Sequence, residues 1–358
     1  MKTKSALGVT VCVLLAALVL PGRTTGESAP YETLIIHGAF LTPAQTGPDS
    51  AQGQEAEALS KQAQDFQKQG KYAEATATYQ KACDAGHAPG CDDLGSMYRL
   101  GVGVPRDASR AAELYQQACD GGYALACSNL AAMYLTGAAT PKERVVPVEL
   151  HQQACDGGAA VGCLNLGMAY RHGVGLAKDE SRAVELERRA VALHRQACDG
   201  GDAGGCNGLG QMYAQGVGVV KDERRAVALY QQTCDGGDAG GCNELGFMYR
   251  HGIGVKKDER RAAELYQQAC DGGFLSGCNN LGVMYRQGIA VRKDESRAVE
   301  LYRRACEGGY AGSCYNLGLT YEHGAGVRKD ATRAVELYRQ ACDRGATEAC
   351  AAASRLTK

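Results

Sequence analysis

Apolar and small residues recur along most of the chain with the spacing of one helical face. After Cys278, the residues Leu281, Gly282 and Tyr285 follow at three, four and seven positions, which places all four on one side of an α-helix. A Gly inside a helix costs about 1 kcal/mol relative to Ala, so its recurrence at this position indicates a close approach to another helix. The pattern predicts a helix that begins at the Cys, and we call it helix A.

A second helix, helix B, follows helix A in each copy of the pattern. In the preceding copy a Gly-rich connection, Gly252–Asp258, ends helix A, and Asp258 is well placed to cap the next helix. Helix B then runs through Arg261–Cys270 and is closed by Gly272 and Gly273. Two helices and two tight turns fill the 36 residues of the unit.

The cysteines give the period of these units. After Cys12 they form eight pairs, each with a separation of eight positions, and the step between pairs is 36 residues, except for 43 between Cys155 and Cys198. Such a period predicts a solenoid. The seven extra residues predict a longer helix B within Arg182–Ala197, and Pro141 and Pro147 should delay a helix start after Thr140. The pairs are Cys83 with Cys91, Cys119 with Cys127, Cys155 with Cys163, Cys198 with Cys206, Cys234 with Cys242, Cys270 with Cys278, Cys306 with Cys314, and Cys342 with Cys350.

The predicted organisation is an all-α, α/α superhelical solenoid of helix-turn-helix repeats. We expect a signal peptide at 1–26, a flexible linker at 27–54, a capping helical hairpin at 55–86, seven repeats at 87–345 and a capping helix at 346–358. Terminal units of a solenoid are expected to differ from the internal ones, because one side of each has no neighbour.

The N-terminus has the layout of a secretory signal. Lys2 and Lys4 precede an apolar run from Ala6 to Leu20, and small residues follow up to Gly26. The run is short for a membrane span and no other apolar stretch is long enough, so we expect export to the periplasm or outside the cell, with no stable membrane insertion after cleavage. A retained anchor is the alternative.

Composition and charge exclude some classes of function. The 48 Gly, 18 Tyr and 17 Cys beside 4 Phe and no Trp indicate one short unit copied many times. Lys and Arg number 39 against 40 acidic residues, without a basic block, so nucleic-acid binding is not expected. We expect a monomer without a cofactor.

The paired cysteines predict eight local disulfides. In each pair the first Cys lies in the last turn of helix B and the second in the first turn of the next helix A, and a Gly turn brings the two turns together. An exported chain with one fixed Cys spacing favours disulfides. Metal binding is the competing interpretation, but zinc sites normally use Cys spacings of two to four and four ligands at one ion.

The full pattern resembles a known repeat. The sequence Leu-Gly-x-Met-Tyr-x-x-Gly-x-Gly-Val-x-x-Asp, followed by Arg-Ala-x-x-Leu-Tyr, resembles the Sel-one-like repeat, a relative of the tetratricopeptide repeat, over about Lys71 to Cys350. With its paired Cys the chain resembles the Helicobacter cysteine-rich proteins. The resemblance implies an exported superhelix with disulfide-linked hairpins that binds a protein, a peptide or another ligand.

Enzymatic function has little support in the residues. Some members of the resembling family carry a penicillin-binding or weak β-lactamase label, so weak β-lactam binding or hydrolysis is the alternative function. None of the Ser-x-x-Lys, Ser-Asp-Asn and Lys-Thr-Gly elements occurs in this chain, and neither do His-Glu-x-x-His, Gly-x-Ser-x-Gly or a P-loop. We therefore predict no catalytic residue and no metal site. Thiol-disulfide exchange would need a distinctive pair, and the eight pairs are nearly identical.

The variable face of helix A predicts a binding groove. Residues two, six and nine positions after each Cys share a face distinct from the Leu/Gly/Tyr face. In a solenoid such a face can line a concave groove for a protein or peptide, or for a cell-wall-like or β-lactam-like ligand. The amides of Asn129, Asn165, Asn280 and Asn316, all at position two, could pair with a peptide backbone. Alternatively, they satisfy neighbouring helix or turn groups.

The histidines do not predict a shared site. His172, His251 and His323, at position nine, stand in alternate units, too far apart for one metal ion. His151 and His194 replace a Tyr that recurs in helix B, so we expect them to pack rather than to act in catalysis.

Overall fold

The computed structural model of the protein describes residues 51–135 and 147–357, and within these ranges the regular secondary structure is helical. The predicted signal peptide 1–26 and residues 27–50 of the predicted linker lie outside the described residues. The helices are, in chain order, α1 (Ala51–Lys68), α2 (Tyr72–Asp84), α3 (Ala88–Leu100), α4 (Ala108–Asp120), α5 (Ala124–Leu135), α6 (Pro147–Asp156), α7 (Ala160–His172), α8 (Glu180–Asp199), α9 (Ala203–Gln215), α10 (Glu223–Asp235), α11 (Ala239–His251), α12 (Glu259–Asp271), α13 (Leu275–Gln287), α14 (Glu295–Glu307), α15 (Ala311–His323), α16 (Ala331–Asp343) and α17 (Thr347–Leu356).

These helices form the predicted all-α solenoid. Each helix packs against the next along the chain, and α3 to α16 make seven repeats, each with an odd-numbered helix A and an even-numbered helix B. The hairpin α1–α2 precedes them and α17 follows. Helix α1 begins at Ala51, inside the segment predicted to be linker. None of the described helices combines the length and apolar character that crossing a bilayer requires.

Helix A begins three residues earlier than the sequence pattern predicts. The Cys that was expected to open the helix is its fourth residue, so it still lies in the first turn. In α11 the added residues are Ala239, Gly240 and Gly241, which give no apolar period, and the Asp238 carboxylate caps them by accepting a hydrogen bond from the Gly241 N–H at 2.7 Å. The same early start is found in every helix A, at Cys91, Cys127, Cys163, Cys206, Cys242, Cys278 and Cys314.

Local sequence also sets where helix B begins and helix A ends. The side chain of Asp258 accepts a hydrogen bond from the backbone N–H of Arg261 at 3.0 Å and so caps α12. Gly252 ends α11 in the left-handed region at φ 68°, where a residue with a Cβ is strained. The same Asp cap recurs at the start of α4, α8, α10, α14 and α16, through Asp107, Asp179, Asp222, Asp294 and Asp330.

The recurring Gly of helix A gives space to the recurring Tyr of helix B. A Cβ added at Gly282 in α13 would lie 2.7 Å from Cε1 of Tyr302 in α14, a distance that real Cβ contacts do not reach. Tyr302 is fully buried. The close approach predicted from the sequence is therefore present, and it recurs for Gly95 with Tyr115, Gly210 with Tyr230, Gly246 with Tyr266, and Gly318 with Tyr338.

The insertion lengthens helix B without breaking it. Helix α8 has 20 residues, whereas its regular counterpart α12 has 13, so all seven extra residues are helical. Seven residues are about two turns, which keeps the same face toward the core. Helix α6, for which a delayed start was predicted, begins at Pro147, a residue favoured in the first helical turn.

Candidate functional site

The A helices line the inner side of the curved stack. Direct packing between alternate helices joins helix A to helix A, as in α5 with α7, α9 with α11 and α11 with α13. A stack curves toward the side on which its elements lie closer together. Described residues at positions two, five and nine after the Cys of each helix A are half-buried or exposed on this side, and we call these positions the inner face.

Three of the four predicted Asn residues join consecutive repeats. Asn129 Nδ2 donates to Asp92 Oδ1 of the preceding repeat at 2.8 Å. Two further amides form the equivalent hydrogen bond between repeats. Asn280 Nδ2 donates to Asn243 Oδ1 at 3.0 Å, and Asn316 Nδ2 donates to Asn279 Oδ1 at 2.8 Å. Each acceptor stands at position one, so position two of one repeat is bonded to position one of the repeat before. Asn165 is half-buried at the equivalent place in α7. We call this series of bonds the amide ladder.

The first repeat carries carboxylates where the later ladder has amides. Burial raises the pKa of Asp92 to about 6, although the hydrogen bond from Asn129 lowers it. Burial and the adjacent Asp92 charge raise the pKa of Asp93 to about 8, while hydrogen bonds with Gln64 and Tyr79 lower it. The ladder therefore begins with two closely spaced acids that hold protons more firmly than exposed carboxylates do.

Position five, which the sequence pattern did not single out, forms the apolar part of the inner face. Phe247 stands there in α11 and is 43% exposed, with its ring centroid 4.4 Å from that of His251. The expectation that position six shares this face is wrong, because Met248 and its counterparts are buried between helices. Helix A contacts its own helix B and both neighbouring repeats, so its buried arc is wider than a single contact would make it. Position five is occupied by Ser96, Ala132, Met168, Gln211, Phe247, Val283 and Leu319.

Position eight, which borders the inner face, is charged in five of the seven repeats. Arg171 pairs with Glu187 at 2.6 Å, and in the last repeat Glu322 takes the Arg position and pairs with Arg355 at 2.8 Å. Arg250 and Arg286 are half-buried, and among the described residues no carboxylate lies within salt-bridge distance of either. The guanidinium groups of Arg250 and Arg286 therefore form no ion pair within the described part of the chain, and Glu244 at position two is the carboxylate that α11 itself carries on this face.

The tyrosines of helix B lie beneath position eight. Burial raises the pKa of Tyr266 to about 12, and the positive charge of Arg250 lowers it. The buried hydroxyl of Tyr302 has no hydrogen-bond partner among the described residues. In the first repeat Ser96 lies 2.9 Å from the hydroxyl of Tyr115, whereas Val283 occupies that position above Tyr302. The hydrogen bonding of the phenols thus changes from repeat to repeat.

Position nine places imidazole rings on the inner face. His172, His251 and His323 are all exposed. Across the described ranges no three His, Cys, Asp or Glu side chains come together in a way that could hold a metal ion. These histidines stand in alternate repeats and contribute separately to the surface.

Eight disulfides connect each even-numbered helix to the odd-numbered helix that follows it. Their Cα atoms lie 4.4 to 4.9 Å apart, and each bond spans eight residues, as the spacing predicts. The bonded pairs are Cys83 with Cys91, Cys119 with Cys127, Cys155 with Cys163, Cys198 with Cys206, Cys234 with Cys242, Cys270 with Cys278, Cys306 with Cys314, and Cys342 with Cys350.

The positions of these disulfides indicate a structural role. In all seven repeats the Cys in the first turn of helix A is buried together with its partner, at Cys91, Cys127, Cys163, Cys206, Cys242, Cys278 and Cys314. The side chains of Cys342 and Cys350 at the C-terminal end are less deeply buried. The bonds fix the turns at the ends of the helices and leave the inner face to other residues.

The sequence model of the Sel1 repeat matches nine segments of the chain, at residues 79–87, 88–123, 124–158, 160–186, 187–202, 203–238, 239–274, 275–310 and 311–345. The chain belongs to the Sel1 repeat family. The match covers both helices of every regular repeat, and the long helix α8 is divided between two segments. No match was found among curated protein sequences.

Solved structures of other Sel1 repeat proteins are similar to this chain. A protective antigen of uropathogenic Escherichia coli with this repeat is 29% identical, with 86% of this chain and 65% of that chain covered and a TM-score of 0.42. The chain thus spans slightly less than two thirds of that antigen. A Sel1 repeat protein from Oxalobacter formigenes is 26% identical, with 79% and 98% covered and a TM-score of 0.41. Helicobacter pylori cysteine-rich protein B is 29% identical, with 37% and 94% covered and a TM-score of 0.31.

Two Sel1 repeats of this chain replace the Tyr of helix B by His. His151 is buried, its Nδ1 lies 3.5 Å from Ser128 Oγ, and burial lowers its pKa to about 4. In helix A of the same repeat, Ala131 occupies the position at which the other repeats have Gly. Because imidazole is smaller than phenol, Ala131 and His151 together fill the space that Gly and Tyr fill elsewhere. Packing accounts for this substitution, as its position in the repeat led us to expect.

Proposed function

We propose that this protein is an exported scaffold that binds an extended polypeptide along its inner face. The observation that carries the proposal is Phe247, which is 43% exposed on that face while Leu245 and Met248 of the same helix are buried. An exposed aromatic ring surrounded by polar groups is a common feature of protein interaction sites. Position five also varies from repeat to repeat, as a surface that recognises successive side chains of a ligand would.

The two arginines of the inner face that have no carboxylate partner favour an acidic ligand. Arg250 and Arg286 stand in consecutive A helices, half-buried and without a carboxylate partner in the described part of the chain. A guanidinium group binds a carboxylate through two parallel hydrogen bonds, so an acidic side chain or a C-terminal carboxylate would pair with these arginines. The proposed ligand segment therefore combines an apolar side chain for Phe247 with carboxylates for the two arginines.

The amide ladder is compatible with backbone contacts to the same ligand. Each Asn amide has two N–H donors, and the ladder bond uses one of them. We therefore retain Asn129, Asn165, Asn280 and Asn316 as proposed contacts with a peptide backbone. The ladder would hold these amides in a fixed orientation, which reduces the conformational entropy lost on binding.

The proposal that the protein is exported rests on its disulfides. Eight disulfides in one chain are typical of an oxidising compartment, because cytosolic thiols are kept reduced. Together with the signal-like residues 1–26, this supports a periplasmic or extracellular location. Mass spectrometry of the N-terminus of the protein recovered from a periplasmic extract tests it, and recovery of uncleaved protein with free thiols would contradict it.

The test of ligand binding uses a random dodecapeptide phage library selected against the purified, oxidised protein. Enriched peptides are resynthesised, and their affinities are measured by fluorescence polarisation for the wild type and for Phe247→Ser with Arg250→Gln and Arg286→Gln. We expect about a tenfold loss of affinity or more and an acidic bias in the enriched peptides. The matched control is Val220→Ser, at an apolar side chain that is 88% exposed in the loop between α9 and α10.

Two outcomes would contradict the proposal. One is failure to enrich any peptide. The other is equal affinity of the inner-face variant and the Val220→Ser control, which would place binding elsewhere. The alternative of β-lactam binding or hydrolysis rests on family resemblance, and turnover of a chromogenic β-lactam by the oxidised protein, beside a reduced control, tests it separately.

A further inference from the structure

The first repeat touches the last repeats across the turn of the superhelix. Arg344, in the loop between α16 and α17, donates from Nε to the carbonyl of Leu100 at 3.1 Å and from Nη1 to the carbonyl of Cys306 at 2.7 Å. Arg106, in the loop between α3 and α4, donates to the carbonyl of Asp343. The contacts of Arg344 with Leu100 and of Arg106 with Asp343 span 244 and 237 positions, although repeats of a solenoid otherwise contact only their neighbours.

Residues at this contact are more deeply buried than residues at the equivalent positions of other repeats. Val102 is 2% exposed in the loop after α3, whereas Val174, at the same position after α7, is 42% exposed. Gly308 and Gly309 between α14 and α15 are buried, while the corresponding Gly pair between α10 and α11 is exposed. These repeat positions are thus fully covered where the two ends of the solenoid meet.

The contact is closely packed. A Cβ added at Gly309 would lie 2.7 Å from Cγ2 of Val102, and one added at Gly308 would lie 2.7 Å from the hydroxyl of Tyr72 in the N-terminal hairpin. Only small residues fit here. In other repeats the Gly-Gly turn only reverses the chain between two helices. Here it also allows the first repeat and the N-terminal hairpin to approach closely.

The residues that make the contact depart from the repeat. Arg344 stands where the preceding loops have Gly or, in the first of them, Ala. Leu100 stands at position nine, where the other described repeats have His or Gln. Regular repeats pack without an Arg or a Leu at these two positions, so packing within one repeat does not require Arg344 or Leu100. Both are used at the place where the ends meet.

We propose that this contact is a latch that closes the solenoid into a ring and opens reversibly without unfolding. The loops 307–310 and 343–346 form the docking surface, and its occupant is the loop 100–107 of the same chain. Opening would require only small rotations spread over all repeats, because no bond within a repeat is lost. A further role, which rests on the proposed function, is to admit an extended polypeptide to the inner face when the ring is open.

Small-angle X-ray scattering of the oxidised protein tests the latch. Val102→Asp places a charge in the contact, and Val174→Asp is its matched control at the exposed equivalent. Arg344→Gly restores the residue typical of the repeat. We expect Val102→Asp and Arg344→Gly to increase the radius of gyration and the maximum dimension with unchanged far-ultraviolet circular dichroism, and Val174→Asp to match the wild type.

Three results would overturn the latch. The first is identical scattering of all variants and the wild type. The second is a wild-type curve that already corresponds to an open superhelix. The third is a wild-type dimer in multi-angle light scattering that Val102→Asp converts to monomer, which would assign the contact to two copies of the chain.

The gating role has its own measurement. Stopped-flow association of a peptide selected on the wild type should be several-fold faster for Val102→Asp than for Val174→Asp. Equal association rates together with an enlarged radius of gyration would overturn the gating role. The scattering experiment uses no peptide, so failure of the latch is distinguishable from failure of the proposed function.

Discussion

The repeat of α11 and α12 and the repeat of α7 and α8 fill the same space with different side chains. In the regular repeat, Gly246 leaves room for the ring of Tyr266, and the charge of Arg250 lowers the pKa of the Tyr266 hydroxyl against the effect of burial. In the longer repeat, Glu187 stands at the Tyr position and is paired with Arg171 across the same 16-residue separation. An ion pair thus replaces an electrostatic interaction between Arg and a phenol at an equivalent place.

The insertion has a second effect in the following repeat. His194 lies four residues before Cys198, the position of Tyr in a regular helix B. Its ring occupies the space beside position two of α9, so that a Cβ at Gly208 would overlap it. This contact explains why position two is Gly in α9, whereas four other repeats have Asn there. An added pair of helical turns is tolerated because a neighbouring residue becomes smaller.

Loss of a disulfide should have the largest effect and should be similar in both regions. Cys270→Ser with Cys278→Ser removes a regular disulfide, and Cys198→Ser with Cys206→Ser removes the one after the long helix. Each closes a loop of about eight residues, for which the chain-entropy model gives about 2.5 kcal/mol of stability. Guanidinium unfolding followed by circular dichroism measures both. A loss confined to one of the two variants would show that the regions differ in more than side-chain packing.

Restoring the typical residue after the insertion should destabilise the protein. Gly208→Asn introduces a side chain into the space of the His194 ring, and overpacking of this kind costs about 2 kcal/mol. Adding His194→Ala should recover most of the loss, as a thermal unfolding series would measure. The matched control is Asn280→Gly, which removes one ladder bond without a clash. Equal stability of Gly208→Asn and the wild type would refute the proposed compensation.

The Gly of helix A should matter more in a regular repeat than in the long one. Gly282→Ala brings a methyl group to 2.7 Å from the Tyr302 ring, for which we expect a loss of about 1.5 kcal/mol. Gly167→Ala meets the Ala183 carbonyl at 3.2 Å and should cost less. Tyr302→His combined with Gly282→Ala reproduces the arrangement of Ala131 and His151 and should be more stable than Gly282→Ala alone. Chemical denaturation ranks the three variants, and the reverse order would contradict the packing argument.

The buried His151 should make the protein less stable in acid. Its folded pKa of about 4 lies below the ordinary value of 6.5, so the unfolded chain takes up the proton first and stability falls as the pH drops from 6.5 toward 4. Between about pH 7 and pH 5.5 we expect a loss of about 1 kcal/mol. The measurement compares thermal unfolding of the wild type and His151→Gln.

A control is needed because other buried groups act in the opposite direction. The raised pKa values of Asp92 and Asp93 mean that the folded protein takes up protons first, which stabilises it as the pH falls. The effect of His151 is therefore the difference between the two pH profiles. His172→Gln, at an exposed imidazole, should leave the wild-type profile unchanged, and a similar change in both variants would contradict the assignment.

Part of the candidate site could be predicted from sequence and part could not. The spacing of two positions from Cys placed Asn129, Asn280 and Asn316 on a common face, where the structure also has them. Their partners lie 37 residues away in the preceding repeat, and one helix considered by itself does not indicate such a contact. Phe247 was missed because a single aromatic residue at one variable position gives no periodic signal.

The sequence by itself determined the period, the helix pairs and the spacing of the disulfides. All three depend on interactions within about 36 residues: Asp and Gly at the helix ends, Gly against Tyr within a repeat, and Cys residues separated by one turn. The tertiary structure alone decided that position six is buried, that Gly208 faces His194 and that Arg344 reaches Leu100. These contacts depend on how small rotations between repeats accumulate along the stack, and no single repeat contains that information.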